Sequence, residues 1–357
     1  MNDIRYKAFF PFIVNLYICT FETDKNSKYI INIKKMNAAK YRRLMTDVAI
    51  AILTSVLCLT STTLKAESKY TDLINYDEQH RIMSYLCDPL TRGRELGSRG
   101  GRLAGSFIME EFKGYGLETV NGCYTQSFQC KDRVGRNIIG MVPAQTESDR
   151  YIVVSAHYDQ IGTINGYIYA GADDNASGVV AMMNLAKIYA QRLKDGKGLN
   201  VNLLFIAFDG KEASMAGSRN FVEHSPVPLK NIDCVMNIDQ FGSVLVPPGK
   251  DTSYVLVLGA DRYKKTSIKS ALSFCNLYYN VGLQIDHTFY GSKAFYETYL
   301  NISDQKAFAD KGIPAMMFTS GFHEHNYKET DTEAIISFPT LKKRTELLYR
   351  LINYITE

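Results

Sequence analysis

Residues 151–178 read YIVVSAHYDQIGTINGYIYAGADDNASG. The first six, Tyr151 to Ala156, form an apolar run without polar alternation, the pattern of a strand buried on both faces. His157 and Asp159 follow at the point where such a strand gives way to a loop. The last eight put Asp173 and Asp174 at the entry to an amphipathic helix, ASGVVAMMNLAKIYAQRL, at 176–193. Strand, polar turn and helix in that order make one βα unit, the building block of a parallel sheet.

The same order recurs along the chain. VNLLFIAFD (201–209), NIDCVMNID (231–239), TSYVLVLG (252–259) and GIPAMMF (312–318) read as further strands. Residues near 76–88 read as a helix, and so does RLAGSFIMEEFKGYG (102–116), with Leu103, Phe107, Ile108 and Phe112 on one face and a stop at Gly114 to Gly116. LKKRTELLYRLINYI (341–355) closes the chain with another. The predicted fold class is α/β: three α/β/α layers around a mostly parallel mixed central sheet.

The chain of 357 residues carries a net charge of +4, but the excess sits at its beginning. Residues 1–66 hold ten Lys and Arg against four Asp and Glu, which leaves 31 against 33 in the remainder. A basic surface for nucleic acid is therefore not expected. Within this beginning, MNAAKYRRLMTD (36–47), VAIAILTSVLCLTST (48–62) and the small Ala66 follow the order of a secretory signal peptide. The apolar stretch is shorter than the roughly 20 residues that cross a bilayer comfortably. The expected organisation is an upstream extension at 1–35 from a start assigned too early, a signal peptide at 36–66 and a single catalytic domain at 67–357. The mature protein is expected to be exported, periplasmic or secreted, without stable membrane insertion after cleavage. A retained N-terminal anchor is the competing expectation. Five cysteines lie beyond residue 66, and Cys123 with Cys130 either close a disulfide or stay as thiols.

In folds of this class chemistry gathers at the carboxyl ends of the strands. There the sequence places His157 and Asp159, Asp173 and Asp174, then Asp209, Lys211 and Glu212, then Asp239. GFHEHNYKETDT adds His323, Glu324, His325, Tyr327 and Asp331. So many carboxylates on separate strand ends would repel unless a cation lay among them. Imidazole and carboxylate donors without thiolate suit zinc at a catalytic site.

The ordered set SAHYD, GADDNASG, FDGKEASMAGS, NIDQFG, SDQKAF, GIP and ETDT resembles family 28 of the metallopeptidases, the co-catalytic zinc exopeptidases, to which glutaminyl cyclases are related. The resemblance runs from about Gly97 to the C-terminus. It implies that His157 and Asp239 bind one zinc, Asp173 bridges two, and Glu212 binds the second. Asp159 would hydrogen-bond the His157 imidazole from behind. Two zinc ions are expected, with one as the alternative.

Two positions depart from the family pattern. Where the family has two adjacent glutamates, the first acting as general base, this chain has Lys211 and Glu212. Near zinc the Lys211 amine would have a lowered pKa and act as a base or polarise a carbonyl. Asp209, Glu324 or the metal-activated water alone are the substitutes. The family's last ligand is a histidine four residues before Asp-Thr, where Tyr327 stands. His325 is the expected ligand after a small loop adjustment, with Tyr327 and His323 as alternatives. Gln305 replaces a frequent histidine, and Asp304 is expected to support the site by hydrogen bonding. The implied function is a zinc-dependent aminopeptidase acting on peptide substrates. The alternatives are a one-zinc glutaminyl-cyclase-like acyltransferase and a catalytically degenerate homologue that binds peptide or metal.

Overall fold

The computed structural model describes residues 17–23, 29–35, 46, 69–245, 253–288 and 290–356. The chain divides into two units, residues 1–68 and 69–357. In the first, β1 (Tyr17–Thr23) pairs antiparallel with β2 (Tyr29–Lys35). The signal-peptide expectation at 36–66 lies outside the described residues apart from Thr46, as does most of the 1–35 extension.

The second unit is built on an eight-stranded sheet. Its strands are β3 (Thr125–Cys130), β4 (Arg133–Val142), β5 (Tyr151–His157), β8 (Asn202–Phe208), β9 (Ile232–Ile238), β10 (Tyr254–Leu258), β11 (Gln284–Asp286) and β12 (Ala315–Thr319). Their order is β11-β10-β12-β9-β5-β8-β4-β3. The central block β12, β9, β5 and β8 is parallel throughout, whereas β10 with β12, β8 with β4 and β4 with β3 are antiparallel. A short antiparallel pair, β6 (Thr163–Ile164) and β7 (Tyr167–Ile168), lies in the loop after β5.

Helices α1 (Tyr76–Leu86), α2 (Arg99–Tyr115), α3 (Gly178–Lys194), α4 (Ala216–Glu223), α5 (Ile268–Tyr278), α6 (Lys293–Tyr299), α7 (Gln305–Ala309) and α8 (Phe338–Thr356) accompany the sheet. Helix α2 starts at Ser98, whose side chain accepts the Gly101 amide, and stops at Gly116, left-handed at φ 88°. Alternation along the strands divides the core into two layers. Ile152, Val154, Ala156, Leu203, Phe205 and Ala207 pack with α1, α2, α3, α5 and α8. Val153, Leu204, Ile206 and Phe208 pack on the other face with Phe221 of α4 and Phe308 of α7. The predicted three-layer α/β/α fold with a mostly parallel mixed sheet is the observed one.

From β5 the chain crosses through α3 to β8 on one side, then through α4 to β9 on the other. The carboxyl end of β5 is thus a switch point, where connections leave toward opposite faces of the sheet.

Candidate metal centre

His157 ends β5 and is fully buried. Its Nδ1 lies 3.1 Å from the carbonyl oxygen of Asp159 and 3.6 Å from that residue's Oδ1, so the backbone does more of the anchoring than the expected carboxylate. Its Nε2 lies 3.3 Å from Asp174 Oδ1 and 3.3 Å from Asp239 Oδ1. Among the described residues, His157, Asp174 and Asp239 offer ligand atoms within 4.8 Å of one another, all buried. Ser303 donates to the other oxygen of Asp239, and the Gln240 amide lies 3.3 Å from Asp174 Oδ2. Two of the sequence-predicted metal residues, His157 and Asp239, thus come together.

Asp173 does not join them; its neighbour Asp174 does. Asp173 Oδ1 accepts the backbone amides of Gly242 (2.6 Å) and Ser243 (3.0 Å), and its Oδ2 lies 2.9 Å from His323 Nε2 and 3.1 Å from Ser320 Oγ. The turn before α3 decides this. Gly171 is left-handed at φ 56°, and a Cβ there would come within 2.3 Å of the Asp174 carbonyl. Asp174 and Asn175 then leave helical geometry and are joined by a cis peptide bond, while Asn175 Oδ1 accepts the Gly178 and Gln240 amides.

His325, expected as the last ligand, lies outside the group. Its Nδ1 is 2.8 Å from Thr330 Oγ1 and its Nε2 is 3.9 Å from Glu324. A tight turn fixes it there, with Asn326 N bonded to the His323 carbonyl and Lys328 N to that of His325. His323 is the imidazole turned inward, onto Asp173.

Lys211 and Glu212 follow β8. Both backbone amides, at 3.0 Å each, are gripped by the two oxygens of Asp159. Asp331 holds the amides of Asp173 (2.8 Å) and Asp174 (3.0 Å) in the same manner. The buried Lys211 ammonium donates to Glu212 Oε1 at 2.8 Å and lies 3.5 Å from Asp174 Oδ1 and 3.4 Å from the Tyr327 hydroxyl. Of the substitute bases, Glu324 is mostly exposed, and Asp209 accepts the Arg136 amide at 3.0 Å. Asp304 is buried, and the Ser218 side chain is the hydrogen-bonding group beside its carboxylate.

The electrostatics follow from burial against partners. For Lys211 burial disfavours the charge, yet Asp174, Asp239 and Glu212 outweigh it and hold the amine well above the usual lysine range. Burial also opposes charge on Asp174 and Asp239, but Lys211 and His157 bring both below the ordinary carboxylate range. Glu212 is pushed up to about 7, chiefly by burial. Cys123 and Cys130 are free thiols, which settles the open disulfide question.

Comparison with known proteins gives four relevant matches. The model of "Peptidase family M28" matches residues 137–352. A probable zinc metalloprotease of Pyricularia oryzae is 30% identical over 186 residues, covering 48% of this chain and 34% of that protein. A glutaminyl-peptide cyclotransferase of Drosophila melanogaster is 23% identical over 189 residues, covering 50% and 52% respectively. The chain thus spans between a third and about half the length of these curated relatives. Among solved structures, the LapA aminopeptidase of Legionella pneumophila superposes with a TM-score of 0.60 at 16% identity, covering 82% of this chain and 75% of that one. That likeness establishes the shared fold.

Proposed function

This chain belongs to peptidase family M28, and from that premise we propose that it is a zinc-dependent exopeptidase removing amino-terminal residues from peptides. The observation that carries the proposal is the buried group His157, Asp174 and Asp239 at the switch point of the sheet. Its donors, one imidazole and two carboxylates, fit a catalytic zinc. Bound by these three, zinc would supply Lewis acidity, polarising the scissile carbonyl and lowering the pKa of water.

The chain's own residues supply positioning and proton transfer. Glu212 stands beside the group with its carboxyl pushed up to about 7 and is less buried than its neighbours. A carboxylate so placed, partly open to solvent and held by an ammonium, can take up and return a proton, so we assign it as general base. Lys211 holds Glu212 by their 2.8 Å hydrogen bond and balances Asp174. Asp159 positions both through their amides and anchors His157 through its carbonyl. The expected metal role of Glu212 is set aside here in favour of proton transfer.

No helix among the described residues is long and apolar enough to cross a membrane. The 36–66 segment supports export, as its order of basic, apolar and small residues directs.

The test is metal analysis of the purified chain, followed by turnover of a panel of aminoacyl anilides with and without chelator. Bound zinc with chelator-sensitive release of chromophore is the expected result. Absence of both, after zinc reconstitution, overturns the proposal. The Drosophila relative, and a site that gathers ligands for one ion, favour a second reading: cyclisation of an amino-terminal glutamine with loss of ammonia. Ammonia release from a glutaminyl peptide without anilide turnover would select it.

A further inference from the structure

The three groups around Lys211 Nζ form a pocket of metal-ligand type. Glu212 Oε1 at 2.8 Å, Tyr327 Oη at 3.4 Å and Asp174 Oδ1 at 3.5 Å surround it, and the lysine side chain is 7% exposed. The Tyr327 ring adds a face to the cation, with its centroid 5.6 Å from Nζ. Asp174 Oδ1 is also the oxygen that meets His157 Nε2 at 3.3 Å. One carboxylate therefore faces a metal group on one hand and an ammonium on the other.

We propose that the Lys211 ammonium is the resident second cation of this centre, so that the chain holds one metal ion, on His157, Asp174 and Asp239, and excludes another. The proposal rests on the metal-enzyme reading above and deepens it. A divalent ion bound by Glu212 and Asp174 would need oxygen contacts of about 2.0–2.2 Å. It would then fall against an ammonium that already donates to both residues, and the two like charges would compete for one set of oxygens. Tyr327 stands where the family pattern has histidine. Its hydroxyl pairs readily with an ammonium, and neutral phenol is a poor zinc ligand. The glutamate-to-lysine and histidine-to-tyrosine departures thus become one coupled change: a metal ligand set converted into an ammonium site.

The test is zinc stoichiometry and affinity, by equilibrium dialysis with elemental analysis and by calorimetry, for three proteins. The chain as it stands should bind one equivalent. The double variant Lys211→Ala with Tyr327→His, which removes the ammonium and restores an imidazole, should bind two. Lys211→Met keeps the length of the side chain without its charge and should tighten the first equivalent at least tenfold. Two equivalents in the unaltered chain overturn the inference while leaving the metal-enzyme reading intact. No zinc in the unaltered chain overturns both. One equivalent in the double variant, with unchanged affinity in Lys211→Met, also overturns it, since the ammonium would then be excluding nothing.

Discussion

His157 Nε2 and Lys211 Nζ approach the same oxygen of Asp174, at 3.3 and 3.5 Å, from neighbourhoods built in different ways. The histidine ends a strand in the middle of the sheet. Its ring is fully buried and held by the Asp159 carbonyl, and Asp239, opposite, ends the adjacent parallel strand. The lysine stands on the loop after β8 at the end of a flexible four-carbon stem. Two of its partners, Glu212 and Tyr327, are partly exposed. Strand ends preorganise donor atoms at fixed separations, which a metal ion requires, whereas a long side chain finds its own separation, which suffices for an ammonium. The two halves satisfy one electrostatic demand at different levels of rigidity.

That contrast is broken most severely by removing the carboxylate both halves share. Asp174→Ala should abolish zinc binding and turnover, while Asp173→Asn, whose carboxylate contacts Gly242, Ser243, His323 and Ser320 rather than the three proposed ligands, should weaken zinc far less; calorimetry on the pair separates the two aspartates. If Asp173→Asn were the more damaging, the assignment would reverse. Glu212→Gln sharpens the comparison from the lysine side. It should lower kcat by about 10²–10⁴-fold with zinc content unchanged, measured by anilide turnover and elemental analysis on the same sample. Loss of zinc in that variant would return Glu212 to the role of ligand.

Asp331→Ala tests the rigidity of the histidine half. It leaves the buried amides of Asp173 and Asp174 without an acceptor, at about 1–3 kcal/mol each, visible in urea denaturation. The smallest effect concerns the acid layer behind the site. Asp209 is pushed up to about 7 by burial first and then by Asp159, and one of its oxygens has no hydrogen-bond partner. The folded chain therefore keeps a proton that the unfolded chain releases near pH 4, so stability contributed by this group falls as pH rises from about 4 to about 7. Asp209→Asn should equal the unaltered chain near pH 4 and exceed it at pH 8. Denaturation at the two pH values checks the sign.

Much of this fold was legible in the sequence because the central strands are buried on both faces and so are written as unbroken apolar runs, YIVVSA and VNLLFIAFD. Helix α2 was legible to within a few residues from its apolar face and its terminal glycines. The antiparallel β3–β4 pair was not. Arg133–Val142 mixes exposed polar residues with a late buried run, and Thr125–Cys130 is largely polar, so neither shows a clean period. At the candidate centre, the meeting of His157 and Asp239 could be read because each stands at the carboxyl end of a strand. The choice between Asp173 and Asp174 could not, since adjacent residues in an irregular turn point in directions set by backbone torsions and by Asp331, some 157 residues away. The place of His325 was hidden for a similar reason: its turn closes on itself through local hydrogen bonds that the spacing of histidines does not encode. Ser303 and Gln240 escaped notice because a serine or glutamine supporting a carboxylate leaves no motif.

Three carboxylates each grip a pair of successive backbone amides: Asp159 those of Lys211 and Glu212, Asp331 those of Asp173 and Asp174, and Asp173 those of Gly242 and Ser243. These grips join segments 52, 158 and 69 residues apart. Closing such loops costs little more free energy than closing short ones, because the entropy grows only with the logarithm of length, but long-range pairing comes late in folding. A chain emerging from the ribosome would therefore carry His157, Lys211 and Asp239 well before it had a working centre. Only when Asp331 arrives are the amides of Asp173 and Asp174 fixed, and the buried group would be completed with the last strands and helix rather than piecemeal during synthesis.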